Sequence, residues 1–167
     1  MQPRIYLAGP TCFLHNSREL YNDLKERCLA LGMVGLSPCD AGSAPAAGTI
    51  AEARAIRDQN LELILSCDAV LADLRPFRGP SANCGTVYEC GYASALSKPV
   101  VAYHVWQDIT YRDKVLAGVT QDHAAIEDFA LFDNLMTAAG LYSAHEAPEE
   151  AINALASLFR ENLPQHE

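Results

Sequence analysis

Short apolar runs alternate with longer stretches of helical period along this chain, and the alternation predicts the architecture. Arg4–Ala8 (RIYLA) is an apolar run closed by Gly9-Pro10, the mark of a buried strand. Asn16–Leu31 carries Leu20, Leu24 and Leu31 at helical spacing. Asn16 with Glu19 offers a capping box, and Gly32 a stop. Met33–Ser37 predicts a second strand ended by Pro38, and residues 40–48 (DAGSAPAAG) read as a loop. Thr49 and Glu52 form a second capping box for a helix running to about Ser66, with Ile56, Leu63 and Ile64 apolar. Asp68–Leu74 predicts a third strand, Arg75–Cys84 a Pro/Gly loop, Gly85–Leu96 a helix and Pro99–Val105 a fourth strand.

The pattern weakens over residues 106–132, where loop and a short helix are expected. Leu135–Ala139 reads as helix and Leu141–Ser143 as a short fifth strand. Pro148 opens a last helix, with Glu149 and Glu150 suited to its dipole and Ile152, Leu155 and Phe159 to packing. Strands alternating with helices imply an α/β fold whose parallel sheet is covered on both faces. Ligands of such sheets bind beyond the carboxyl ends of the strands, where the strand order switches. Gly9–Phe13, the 38–48 loop, the 75–84 loop and the start of the Gly85 helix should therefore border one cleft.

Composition narrows the function classes. The 167 residues, 50% of them hydrophobic, fit one domain over 1–167 with a core of its own. A net charge of −9 argues against nucleic acid as partner but leaves room for an uncharged nucleoside. No apolar run reaches membrane-spanning length, and no signal-peptide pattern opens the chain. Cys12, Cys28, Cys39, Cys67, Cys84 and Cys90 show no paired spacing and are expected as reduced thiols of a cytoplasmic protein. His15, His104, His123, His145 and His166 are scattered, so no metal site is expected. GxGxxG, the phosphate-loop pattern and the GxSxG elbow are absent.

The most informative stretch is NCGTVYECGYASA (83–95). Gly85 lets backbone approach a ligand, and Thr86 is a candidate cap for the helix. Glu89 falls a turn into that helix among Val87, Cys90, Gly91 and Ala93. The alternative for Glu89 is a solvated helix glutamate, but a carboxylate among small residues beside a cleft points to chemistry. Tyr6, inside the first strand, is either a core aromatic or a hydroxyl positioning Glu89. Asn60 is a poor interior residue for a helix, which suggests either substrate contact or a bond to a neighbouring loop.

Four segments together resemble the nucleoside 2-deoxyribosyltransferase family: IYLAGP (5–10), the stretch 56–79 with IRDQN and CDAVLADLRPFRG, NCGTVYECGYASA (83–95) and FDNLM (132–136). The resemblance implies a flavodoxin-like, doubly wound five-stranded parallel sheet. It implies Glu89 as nucleophile and Tyr6 as the residue orienting it, with Gly9, Phe13, Asn60, Asn83 and Gly85 around the substrate. It also implies a homo-oligomer in which Asn134 and Met136 reach a neighbouring subunit's site, Asn134 binding the sugar 5'-hydroxyl. The substrates would be 2'-deoxynucleosides and free bases, as in purine salvage, with no cofactor. The alternatives are a nucleoside or 5'-monophosphate N-glycosidase and a non-catalytic nucleotide-binding module. Asn83 stands where the family usually has an aspartate, and Asn60 where it often does. An amide is no general acid, so proton delivery to the base is the property in question. On that reading an aspartate restored at 83 would speed purine donors.

Overall fold

A computed structural model describes residues 1–41, 48–118 and 125–161. Five strands form one parallel sheet: β1 (Arg4–Ala8), β2 (Val34–Leu36), β3 (Ala69–Asp73), β4 (Val100–Tyr103) and β5 (Ser143–Ala144), ordered β2-β1-β3-β4-β5. This is the flavodoxin-like doubly wound order, and it reverses between β1 and β3. Tyr6 pairs with Leu36 on one side and Val70 on the other, and Asp73 with Tyr103.

Alternation along the strands splits the core in two. Ile5, Leu7, Leu71, Val101 and Tyr103 pack on one face under α1 (Ser17–Ala30) and the last helix, α6 (Pro148–Glu161). Tyr6, Ala8, Val70, Ala72 and Ala102 pack on the other, with Ile64 of α2 (Ile50–Ser66) and Cys90 and Ala93 of α3 (Cys84–Ala95). On α6, Ala151, Ile152, Leu155 and Ala156 form one buried stripe, as the sequence pattern requires. Burying each such Ile or Leu is worth roughly 1.5–3 kcal/mol.

The Thr49 cap forms, its hydroxyl accepting from the Glu52 N–H at 3.2 Å, while the Glu52 carboxylate accepts from Gly48 N–H at 2.8 Å. The Asn16 box does not: Asn16 caps α1 with its backbone only. The cap of α3 is Asn83, not Thr86, which supplies the capped N–H instead. The fifth strand lies slightly later than Leu141–Ser143. The short helix expected within 106–132 is α4 (Tyr111–Gly118), and α5 spans Leu135–Ala138. The heart of the 40–48 loop lies outside the described residues, as does part of 106–132. Among the described residues no helix is long and apolar enough to cross a membrane.

Candidate functional site

Three segments that are distant in the chain meet at one carboxyl group. Tyr6 projects from β1 with its ring fully buried, and its hydroxyl donates to Glu89 Oε1 at 2.7 Å. Asn60, three turns into α2, donates from Nδ2 to the same oxygen at 3.1 Å. Both readings of Tyr6 therefore hold at once: the ring is core, and the hydroxyl faces the carboxylate. Asn60 takes a site-facing bond, and neither donor is paired with Glu89 Oε2.

Burial pushes the Glu89 carboxyl above its ordinary range, and the bonds from Tyr6 and Asn60 pull it back without cancelling the shift. The Tyr6 phenol is driven far upward, by burial first and then by the neighbouring Glu89 charge, so it stays protonated and always donates. Among the described residues no cation acts on Glu89. The arrangement is a half-buried carboxylate held by two neutral donors through one oxygen, with no hydrogen bond to the other among the described residues.

The remaining expected residues lie around it. Gly9 follows β1 where a side chain has no room: a Cβ there would sit 2.7 Å from Asp73 Cβ. Phe13 ends the turn Pro10–Phe13 and stacks on Phe77 of the 75–84 loop, ring centroids 5.4 Å apart, with the Arg78 guanidinium over both rings. The stack joins the loops that follow β1 and β3. Asn83 opens α3. Its Oδ1 accepts from Thr86 N–H at 3.1 Å and from the Thr86 hydroxyl at 3.3 Å. A Cβ at Gly85 would press against that Oδ1 at 3.1 Å, so this glycine serves the cap. An aspartate at 83 would meet the same helix amides, which favour its ionised form.

Asn134 and Met136 are not bonded to this cluster. Asn134 caps α5, its Nδ2 donating to Glu127 Oε1 at 2.9 Å and its Oδ1 accepting from Met136 N–H at 3.0 Å. Met136 is 79% exposed. Nearby, buried Asp133 accepts from Ala82 N–H and Asn134 N–H, tying this loop to the one before α3.

Sequence reasoning passed over Asp73. It ends β3 completely buried, its carboxylate accepting from Arg75 Nε (2.8 Å) and bonded to His104 Nδ1 (2.9 Å). The available signal was a charge closing an otherwise apolar parallel strand. Among the described residues no three His, Cys, Asp or Glu side chains gather as metal ligands, and all six cysteines are free.

Comparison with known proteins matches this geometry to a family. Residues 5–136 match the family model described as nucleoside 2-deoxyribosyltransferase. The structure is similar to a 2-desoxiribosyltransferase from Leishmania mexicana, 30% identical, covering 93% of this chain and 97% of that one at a TM-score of 0.76. A conserved protein from Enterococcus faecalis V583 shares the fold at 20% identity and a TM-score of 0.67, covering 95% and 99% of the two chains. In sequence, an uncharacterized protein of Schizosaccharomyces pombe is 36% identical over 107 residues, 60% of this chain; the chain spans about half (49%) of that curated relative. The chain belongs to the nucleoside 2-deoxyribosyltransferase family.

Proposed function

We propose that this protein transfers 2-deoxyribose between nucleobases through a covalent ester at Glu89. The observation that carries this reading is the carboxylate held through Oε1 by Tyr6 and Asn60, with no cation beside it among the described residues. Oε2 attacks C1' as the C1'–N bond breaks through an oxocarbenium-like state, and the base departs with the bonding pair. A second base, giving its N–H proton to solvent, then attacks C1' through that nitrogen and the ester C–O bond breaks, returning the carboxylate. Two inversions give retention, as in glycosidases that use a carboxylate nucleophile. Neutral donors suit the task, since a cation paired with Glu89 would hold its electron pair. A 2'-hydroxyl would withdraw electrons from the cationic transition state, which favours 2'-deoxy sugars. The activity named for the Leishmania mexicana relative supports the same chemistry.

Asn134 and Met136 complete a neighbouring subunit's site in this proposal, with the bond to Glu127 setting the Asn134 amide and exposure leaving Met136 free to reach across. The test is exchange between 2'-deoxyinosine and a second free base, with intact-protein mass after a slow 2-fluoro sugar analogue. Glu89→Ala should lower exchange by about 10³-fold or more and abolish the adduct, because the bond-forming atom is gone. Near-normal exchange in the folded variant, or an adduct on another residue, would refute the assignment. Free base released without acceptor would report water as second nucleophile.

A further inference from the structure

A base leaving C1' takes an electron pair, and that charge needs either a proton or a fixed donor. No described carboxyl group near Glu89 is free to give a proton, and the buried, unpartnered Tyr21 hydroxyl is driven well above the ordinary phenol range. Asn60 and Asn83 are amides. Tyr6 already spends its proton on Glu89 Oε1. Asp40 accepts from Ser37 N–H at 2.8 Å and pairs with Lys25. Asp73 pairs with Arg75 and His104 on the opposite face of the sheet, and Asp133 is committed to two backbone N–H groups. Burial raises the Cys12 thiol, making it a weak acid.

Asn83 offers the other solution. Its Oδ1 is bound to Thr86, which fixes the amide's orientation and leaves Nδ2 without a partner among the described residues. Asn83 lies six residues before Glu89 on the same helix, about 9 Å along its axis at 1.5 Å per residue. We propose that this site protonates no leaving group and instead holds the departing base as an anion through Asn83 Nδ2, so that it selects carbonyl-bearing bases, pyrimidinediones and 6-oxopurines, over aminopurines. The carbonyl oxygen carries much of the developing charge, and a preorganised N–H aimed at it stabilises the transition state more than the ground state. Glu89 and the base thus divide the work. The carboxylate receives the sugar, and the base leaves on its own acidity, assisted by one donor.

This rests on the Glu89 reading, and the experiment separates the two. Single-turnover base release is measured with 5-fluoro-2'-deoxyuridine, 2'-deoxyuridine and thymidine, whose bases differ in acidity by small substituents. Release should fall steeply in that order, by about tenfold or more from the fluoro to the unsubstituted base, because no acid levels the difference. Rates within about twofold across the series would overturn the proposal and require a proton donor beyond the described residues. 2'-Deoxyinosine should outrun 2'-deoxyadenosine, and the reverse order would also overturn it. Asn83→Asp keeps a competent helix cap while replacing the donor with a charge that repels the anion. It should slow release of 5-fluorouracil about tenfold or more, and an unchanged or faster rate would count against the proposal. If instead wild-type protein released none of these bases, or Glu89→Ala released them undiminished, the Glu89 reading itself would have failed.

Discussion

Glu89 and Asp73 are two carboxylates at the same end of the sheet, on opposite faces, with opposite surroundings. Burial pushes both upward. For Asp73, His104 and Arg75 outweigh burial, and the group ends below the usual carboxylate range, ionised and saturated. For Glu89, two neutral donors on one oxygen fall short, and the group ends above its usual range with an oxygen to spare. The difference teaches how one scaffold separates structure from chemistry. A carboxylate neutralised by a guanidinium holds a loop, whereas one held by neutral dipoles keeps its electron pair available. Strand alternation produces the separation, since Tyr6 and Asp73 lie on adjacent strands but point to opposite faces.

The largest expected effect breaks the structural half of the pair. Asp73→Asn removes the charge that Arg75 and His104 share, and should cost about 2 kcal/mol in denaturant unfolding. That is less than the 3–5 kcal/mol of a fully buried pair, because Arg75 is 36% exposed and water screens it. The pH dependence has a definite sign. With its folded pKa depressed, Asp73 contributes stability above its unfolded value, and that contribution disappears as pH falls through the folded one. Wild type and Asp73→Asn should therefore converge in strongly acidic solution. A constant gap across that window would mean the loss is not electrostatic.

The next effect acts on the half proposed to be catalytic. Tyr6→Phe keeps the buried ring and removes the donor to Oε1. Exchange should fall about tenfold, equivalent to about 1.4 kcal/mol of transition-state energy. The acid limb of the rate profile should also move upward, since losing a donor to the ionised form raises the Glu89 pKa further. A slower variant with an unmoved limb would make Tyr6 a packing residue only.

The sequence showed these two regions unequally, for physical reasons. The Glu89 side was legible because its residues violate local expectation: a carboxylate among Gly and Ala, and an asparagine inside a helix. The parallel sheet was legible because buried strands read as continuous apolar runs. Asp73 was not, because its partners lie in the loop beyond β3 and at the end of β4, and no local pattern joins Asp73 to His104 across thirty-one residues. The side-chain bond expected of Asn16 at the start of α1 and the cap expected of Thr86 at α3 failed for a similar reason. Asn16 and Thr86 both have suitable side chains, and which residue bonds the first turn depends on how the chain enters the helix. The weak pattern of 106–132 reflects a segment whose described part is anchored by carbonyls and carboxylates, with Lys114 Nζ bound to Phe132 O and Glu127 to Asn134, and whose helix α4 buries no residue.

The smallest effect is a gain. An ionised carboxylate kept half-buried without a described cation beside it costs folding energy, which the proposed reaction requires and the fold does not. Glu89→Gln preserves an oxygen that can accept from Tyr6 and Asn60 while removing the charge. At neutral pH it should stabilise the protein by about 0.5–1 kcal/mol, a rise of about 1–4 °C in Tm, while exchange is lost. The linkage runs opposite to that of Asp73. A carboxyl whose folded pKa is raised favours the fold in its protonated form, a contribution present below its unfolded value and lost as pH rises through the folded one. The advantage of the Gln variant should therefore shrink as the solution is acidified and the wild-type carboxyl takes up its proton. A variant no more stable than wild type at neutral pH would show that Tyr6 and Asn60 repay the whole cost of burying the charge, and Glu89 would then be as settled as Asp73.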